Sequence, residues 1–297
     1  MAILTKAMQF RNTRREPLAR FFLLLVFLSV TPLHANEAKK PDFGWHKEIL
    51  GTLNFSQNNF DNWTQGGEDS WSWINDIQGR FDYKQSRYSW NNSLKLSYGR
   101  TKIGDKEAKK ASDELKFDSV FNYKMSSYVN PYVAFAGNTQ FTRGYHYSET
   151  GKTAVSDFMD PAYFIESTGF GYEPNNILKS RFGGALKETI TSGYPVPYAD
   201  DPKTEKLEKT KVEGGLECVT DLSTNLGENI VFFSKLELFS NLASFDRIDV
   251  NWDNLFSSKI SKYLSVSLRV RIYYDRDISR KRQLKQLLAL GLSYMLL

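Results

Sequence analysis

Near its C-terminus the chain reads LSVSLRVRIYY, from Leu264 to Tyr274. Apolar or aromatic side chains occupy every second position, and most of the positions between them are polar. Successive side chains of a β-strand point to opposite faces, so the pattern predicts a strand with one apolar and one wet face. Arg269 and Arg271 fall on the wet face. Because this two-residue period recurs along the chain, it decides the fold class.

The recurring period predicts about twelve antiparallel strands. In the clearest strands, aliphatic or aromatic residues hold one face, and Ser, Asn, Asp, Lys or Arg hold the other. The predicted strands span residues 48–55, 70–84, 88–100, 113–125, 132–141, 162–172, 179–189, 211–220, 230–239, 247–256, 264–274 and 284–297. No run of about eighteen apolar residues follows position 35, which excludes helical membrane spans. The sequence therefore predicts an all-β protein.

The N-terminus has the form of an export signal. Five Lys or Arg residues precede an apolar run over 21–30 that only Ser29 interrupts, and a short exit segment ends at Ala35. We expect residues 1–35 to be a signal peptide cleaved near Ala35, residues 36–44 a short periplasmic segment, and residues 45–297 the β-domain. Removing the signal leaves 34 Lys+Arg against 33 Asp+Glu, a net charge of +1. This balance offers no basic face to a nucleic acid.

Alternation alone fits a soluble β-sandwich as well as a membrane barrel, because both have one apolar face per strand. Three further features favour the barrel: the export signal, the connections and the aromatic residues. Long polar connections over 58–69, 101–112, 143–160 and 192–206 alternate with short ones. Aromatic residues lie at both ends of the predicted strands, as membrane interfaces favour. Beside the short turns these are Tyr83, Tyr88, Trp90, Tyr123, Tyr132, Tyr172 and Tyr263.

The last predicted strand resembles the signal by which outer-membrane barrels are recognised for insertion. It places Gly291, Tyr294 and Leu296 at suitable positions, although the final residue is Leu297 and not an aromatic one. We therefore expect a bacterial outer-membrane β-barrel of about twelve strands. Its expected partners are the barrel-insertion machinery, outer-membrane lipid and lipopolysaccharide.

From Asn62 to Ser70 the chain reads NWTQGGEDS, followed by an aromatic strand and its hairpin. This segment resembles an uncharacterised bacterial outer-membrane family, domain of unknown function 3078. The resemblance extends from about Gly44 onward, but only the residues from Trp63 to Ser70 are distinctive. It implies a barrel in the outer membrane and supplies no activity.

In a barrel, the charged face must line the lumen, since Arg on the lipid face would cost roughly 2–4 kcal/mol at the membrane centre. The candidate lumen residues carry both signs of charge. They are Asp76, Arg80, Asp82, Lys95, Lys116, Asp118, Lys235, Glu237, Arg247, Asp249, Arg269 and Arg271, with Glu114 on the same phase. A pore selective for one ion type would show a surplus of one sign. A narrow channel, a ligand cavity and a closed scaffold all remain open.

Catalytic chemistry has little support in the sequence. Beyond the signal there are two histidines, His46 and His146, and one cysteine, Cys218, on an apolar phase. The acidic pairs in the predicted loops lack the spacing of a metal-binding loop. We therefore predict no catalytic residue, no metal and no cofactor. The leading hypothesis is a narrow channel or solute-uptake barrel. The alternatives are a structural or adhesive barrel that presents its loops to a partner, and an outer-membrane hydrolase that uses His146.

Overall fold

A computed structural model describes residues 43–61, 64–149, 151–245 and 247–296, and the regular elements in these ranges are β-strands. The strands are β1 (Gly44–Asn58), β2 (Ser70–Lys84), β3 (Tyr88–Ile103), β4 (Lys109–Tyr123), β5 (Val129–Thr139), β6 (Gly144–Ser148), β7 (Gly151–Ser156), β8 (Ala162–Tyr172), β9 (Leu178–Ile190), β10 (Thr210–Asn225), β11 (Ile230–Asn241), β12 (Ile248–Lys259), β13 (Leu264–Tyr274) and β14 (Gln283–Met295).

Twelve of these strands form one closed antiparallel barrel. Each strand pairs with its neighbours in the chain, except that β5 pairs with β8, and β1 closes the ring by pairing with β14. The strands β6 and β7 form a separate hairpin within the β5–β8 connection. The predicted all-β fold with a barrel of about twelve strands is thus confirmed.

Connections at one end of the barrel are short, and their sequences explain why. In the β8–β9 turn the side-chain oxygen of Asn175 accepts hydrogen bonds from the backbone N–H groups of Ile177 and Leu178, both at 2.9 Å. In the β4–β5 turn Asn130 accepts in the same way from Met125 and Ser126. Asn favours tight turns because its short side chain can replace a backbone acceptor. We call this end the short-turn end, and the opposite end the long-loop end.

Two connections differ from the prediction. Residues 101–112 were expected to be a long polar loop, but β3 continues to Ile103 and β4 begins at Lys109. Residues 143–160 were expected to be irregular, but they contain the hairpin of β6 and β7. Both segments are rich in polar residues, and the apolar alternation that marks the other strands is too short and weak there to identify them.

The predicted signal peptide, its cleavage near Ala35, most of the 36–44 segment and the distinctive Trp63 lie outside the described residues. Within the described ranges, no helix has the length and apolar character needed to cross a membrane.

The exterior of the barrel is apolar. Val133, Phe170, Phe182 and Leu288 are 60%, 62%, 57% and 74% exposed, although each lies within a strand. In water such a surface would be costly, so its natural environment is the hydrocarbon of a bilayer.

Aromatic residues surround the short-turn end of this surface. The ring of Trp45 lies 5.1 Å from that of Tyr83 and 6.1 Å from that of Trp90, and Tyr88 stacks on Phe121 at 5.7 Å. One aromatic residue departs from the expected girdle: Tyr132 is 2% exposed and faces Arg181, because its strand turns it into the lumen. The apolar band and its ring of aromatic side chains have the arrangement of an outer-membrane barrel.

Candidate functional site: the charged lumen

Side chains from opposite walls of the barrel meet inside it. Lys116 Nζ on β4 lies 2.7 Å from Glu237 Oε1 on β11. Arg271 Nη1 on β13 lies 2.7 Å from Glu114 Oε1 on β4. Because β4 is not a neighbour of β11 or β13 in the sheet, these side chains can meet only across the lumen. The polar phase of these strands therefore faces inward, and we call these two ion pairs the crossbars.

The crossbars belong to a larger network. Glu114 also accepts a hydrogen bond from Lys95 on the adjacent strand β3. Asn251 on β12 links the two crossbars, since it accepts from Arg271 Nε at 2.8 Å and donates to Glu237. Each carboxylate is thus held by at least two donors, as charged groups removed from bulk water require. The network constricts the middle of the lumen.

A second, drier cluster lies against β9 and β10. Arg181 donates to Asp118 on β4 at 3.2 Å, and its Nε lies 3.7 Å from Glu217 Oε2. Its guanidinium faces the ring of Tyr132 at 5.9 Å. Lys235 lies 3.8 Å from Asp118 and joins this cluster to the crossbars.

Small residues make room for this cluster. A Cβ added at Gly183 would lie 2.1 Å from the backbone oxygen of Thr168, and one at Gly169 would lie 2.2 Å from that of Phe182. Gly169 and Gly183 are directly paired, so β8 and β9 approach each other at a point where no side chain fits. Without side chains at these two inward positions, the inner face leaves space for the long side chain of Arg181.

At the long-loop end of the lumen, Lys187 is held by two carboxylates. Its Nζ lies 2.6 Å from Asp249 Oδ2 and 3.1 Å from Asp275 Oδ2. The hydroxyl of Tyr273 donates to Asp275 at 3.4 Å. The Lys187 side chain is only 10% exposed, so this triad narrows the lumen a second time.

The structure places eleven of the twelve candidate lumen residues in four groups. Lys95, Lys116, Asp118, Lys235, Glu237 and Arg271 lie in the central network, together with Glu114. Arg269 pairs with Asp253 at 3.5 Å beside it, and Asp249 lies in the triad at the long-loop end. Asp76, Arg80 and Asp82 lie on the inward phase of β2, Asp76 near its middle and the other two toward the short-turn end. Asp76 accepts from Asn54 at 3.4 Å.

Arg247 is the exception, because β12 begins one residue later, at Ile248. It lies in the β11–β12 loop and pairs with Asp277 of the β13–β14 loop at 3.3 Å. Asp277 also accepts from Lys211 at the start of β10. Partial burial works to raise the pKa of Asp277, but these two cations outweigh it and hold the pKa below its ordinary value.

Several charged residues of the lumen were not among the candidates. Arg181, Lys187 and Glu217 lie on β9 and β10, where glycines interrupt the apolar phase and hide the alternation. The signal that could identify them is a charged residue next to an outward-facing apolar residue of the same strand, as Arg181 is to Phe182 and Lys187 is to Leu186. Asp275 directly follows β13 and reads as a loop residue from sequence alone.

His146 lies in β6, opposite Thr153 of β7, outside the barrel wall. The hairpin rests on the β3–β4 turn: Lys152 Nζ lies 2.7 Å from Glu107 Oε1, and Lys109 Nζ lies 4.3 Å from the centre of the Tyr147 ring. In the part of the chain that the structure describes, no group of three His, Cys, Asp or Glu side chains is arranged to hold a metal ion.

The apolar exterior also carries some polar and charged residues. Glu166 on β8 is exposed and lies directly opposite Phe135 of β5 and Leu186 of β9, both of which face outward. Cys218 lies opposite Phe182 on the same exterior, in agreement with the apolar phase expected for it.

The closed, charge-lined barrel can be compared with known proteins. The family model described as Protein of unknown function (DUF3078) matches residues 55–145. The match includes residues 62–70, so the resemblance expected from that segment is confirmed there. It runs from the end of β1 into β6 and is shorter than the span expected from about Gly44 onward.

No curated protein matches the sequence. Among solved structures, the translocator domain of the autotransporter NalP from Neisseria meningitidis has 11% identity and a TM-score of 0.39, covering 86% of this chain and 89% of that one. An outer membrane channel from Pseudomonas putida F1 has 9% identity and a TM-score of 0.38, covering 89% and 99%. The NanC porin has 7% identity and a TM-score of 0.37, covering 83% and 98%.

Proposed function

We propose that the protein is a non-enzymatic channel of the bacterial outer membrane that passes small polar solutes through a narrow, charge-lined lumen. The observation that carries this proposal is the exposure of the crossbars. Lys116 and Glu237 keep 21% and 22% of their side-chain surface exposed, and Arg271 and Glu114 keep 23% and 13%. Protein atoms therefore leave part of each of these charged side chains uncovered at the constriction, which supports a lumen that is narrow and holds water.

The exposed fraction of the charged side chains differs between the two sides of the lumen. On the β9–β10 side, Arg181 and Glu217 keep 10% and 5% of their side-chain surface exposed. The wet path therefore runs past the crossbars and past Lys95, on the side opposite the dry cluster. Since Lys and Arg line this path together with Glu and Asp, we expect weak preference between cations and anions.

An outer-membrane location is supported by the apolar exterior, the aromatic girdle and the expected export signal. The closing strand β14 carries Gly291 and Tyr294, two residues of the expected insertion signal, and Tyr294 stacks on Tyr263 at 6.2 Å. Lipid, lipopolysaccharide and the insertion machinery are the partners that this location implies.

Planar bilayer recording tests the channel function. The purified barrel should give small, discrete conductance steps, and the variant Lys116→Met/Glu237→Gln, which removes one crossbar, should give larger ones. The variant Arg143→Met/Asp157→Asn removes an ion pair of the β5–β8 connection, outside the lumen, and should leave the steps unchanged. A barrel that is correctly folded on unboiled gels but silent, with and without the crossbar, would contradict the proposal.

The β6–β7 hairpin favours a second function, the presentation of a folded loop to an extracellular partner. Tyr145 is 37% exposed, and Lys152 lies 4.9 Å from the centre of its ring. Deleting residues 145–154 should then abolish adhesion of cells that display the protein, while the barrel still inserts. A matched deletion of residues 202–206 from the β9–β10 loop should have no effect on adhesion.

A further inference from the structure

The barrel closes through only part of the seam between β1 and β14. The two strands pair over Leu50–Asn54 and Gly291–Met295, and not beyond Asn54 and Gly291. On the long-loop side of that point, residues 55–58 of β1 pair with β2 alone, and residues 283–290 of β14 pair with β13 alone. By contrast, β1 and β2 pair along their whole length. The wall therefore has a gap at its long-loop half, which we call the seam gap.

The last paired position shows where the strands separate. A Cβ added at Gly291 would lie 2.4 Å from Asn54 Oδ1, and this oxygen is buried without a hydrogen-bond partner in the described part of the chain. Beyond this tight contact the exposed fractions are high: 57% for Phe55, 53% for Leu290 and 74% for Leu288. These side chains belong to the apolar exterior, and it is the missing pairing that makes this half of β14 an edge strand.

The backbone of β14 makes the seam gap wet. The N–H of Leu296 donates to the carbonyl oxygen of Ile49 at 2.8 Å. In an antiparallel pair, residues that bond to the neighbouring strand alternate with residues that do not. Every second residue from Leu284 to Leu290 therefore turns its N–H and C=O toward the missing neighbour. An open sheet edge does not persist against hydrocarbon, because its polar groups would have no partners there. Water from the lumen must therefore reach this edge, and at the seam gap the aqueous lumen meets lipid.

The charges beside the seam gap favour an anionic ligand. Lys285 on β14 lies directly opposite Arg271 on the inward face. Within the described residues, Lys285 makes no ion pair. Together with Arg269 and Lys95 it gives four cations at this part of the lumen, against the carboxylates of Glu114, Asp253 and Asp76. One positive charge is left over. The outer lip of the gap is apolar, with Leu284, Leu288 and Leu290 all exposed.

From this combination of a wet edge, a surplus cation inside and an apolar lip outside, we propose that the seam gap is a lateral exit. Through it a single-chain amphiphile with an anionic headgroup, such as a long-chain carboxylate, passes between the lumen and the membrane. The headgroup would travel along Lys285 while the chain enters lipid past Leu288. The inference rests on the proposed channel function, to which it adds a substrate class and a route.

A disulfide can close the seam gap. Continuing the observed register pairs Ser56 with Ala289, four residues beyond the paired Thr52 and Ser293. In a closed seam both would be non-hydrogen-bonded positions on the inward face, where Cα atoms approach to about 4.5 Å, within the span of a disulfide. In a Cys218→Ser background, Ser56→Cys/Ala289→Cys is the lock, and Thr52→Cys/Ser293→Cys, in the part of the seam that is already closed, is the matched control.

The assay follows transfer of dodecanoate into proteoliposomes, with potassium chloride conductance measured in parallel. The oxidised lock should lose dodecanoate transfer and regain it on reduction, while its conductance is unchanged and the control transfers dodecanoate in both states. A lock that forms without changing transfer overturns the lateral exit. So does a background protein that conducts but does not transfer dodecanoate, whereas a background protein that does not conduct contradicts the channel function itself.

A second variant serves if the disulfide does not form. Lys285→Glu should lose transfer of dodecanoate while transfer of the neutral dodecanol persists. Equal transfer of dodecanoate by Lys285→Glu and the parent would contradict the role of this cation. The alternative to a lateral exit is that a second copy of the chain, or a strand of a partner protein, pairs with the open edge of β14. A stable complex on native gels that the oxidised lock dissociates would overturn the lateral exit in favour of that occupant.

Discussion

Replacing Arg181 with methionine tests how the dry side of the lumen is held together. Arg181 is 9% exposed, and the carboxylates it contacts belong to Asp118 and Glu217, which are 8% and 4% exposed. Asp118 keeps Lys235 at 3.8 Å after the substitution, but Glu217 retains no ion pair among the described residues. The substitution therefore leaves a buried carboxylate without its counter-charge.

Removing one partner of a buried ion pair costs about 3–5 kcal/mol, because the remaining charge has neither water nor a partner. This is roughly two to three and a half powers of ten in the unfolding equilibrium. The matched control is Arg247→Met, the same substitution at a pair with Asp277 whose Arg side chain is 43% exposed. Exposed pairs contribute about 0–1 kcal/mol.

The free energy of unfolding can be measured by urea titration in lipid vesicles, with the folded fraction followed by mobility on unboiled gels. Arg181→Met should be far less stable than Arg247→Met. Arg181→Met/Glu217→Gln should recover most of the loss, because the stranded charge is gone. Equal stability of the two single variants would refute the claim that the dry cluster is held together by the Arg181 charge.

Three further predictions follow from the wall and the loops. Gly183→Ala should destabilise the barrel by about 1–3 kcal/mol in urea titration, since its Cβ would meet a backbone oxygen of β8, whereas Gly184→Ala, with no atom within 4 Å, should be neutral. Glu166→Leu should stabilise the barrel in vesicles by up to about 2 kcal/mol, because it removes a carboxylate from the lipid face; a loss of stability would contradict the outward placement. The hydrogen bond from Arg143 Nε at 2.8 Å lowers the pKa of Asp157. The stabilisation that this ion pair gives the hairpin is therefore fully present above the ordinary carboxyl pKa, and it is lost as pH falls through the lowered pKa. The protection factors of the β6–β7 hairpin in hydrogen exchange, which correct for the intrinsic rate at each pH, should therefore stay constant down to about pH 4 and fall below it, and Asp157→Asn should abolish this dependence.

The positions of the barrel strands could be predicted from sequence because lipid imposes one apolar side chain every two residues. Outside the apolar band this constraint is absent, and the sequence does not predict the strands there. The short strands β6 and β7 lie outside the apolar band and carry polar residues on both faces, such as His146 and Lys152. Nothing in their local pattern distinguishes a hairpin from an irregular loop.

The face of a strand that points into the lumen was hardest to predict where small residues interrupt the alternation. In β5, the alternation of Tyr132 and Ala134 with Val133 and Phe135 gives two nearly equal faces. The structure turns Tyr132 inward because it fills the space above Arg181.

Charge and strand phase are enough to predict most of the central lumen residues, but they do not predict which residues form ion pairs with one another. A period of two assigns Glu114 and Arg271 to the inner face, but it says nothing about the distance between two walls of a barrel. Only closure of the barrel brings Glu114 Oε1 on β4 to 2.7 Å from Arg271 Nη1 on β13. The crossbars, and the constriction that they form, are therefore properties of the ring and not of any strand.

The crossbars also impose an order on assembly. The Lys116–Glu237 and Arg271–Glu114 pairs join residues 121 and 157 positions apart in the chain. Pairs so distant in sequence form late, after local hairpins, because the intervening chain must first be ordered. Until the ring closes, both carboxylates and their cations remain hydrated on the inner face of an open, curved sheet. Completion of the ring releases that water and joins the charges in one step, so the final closure of the barrel is also the step that locks its interior.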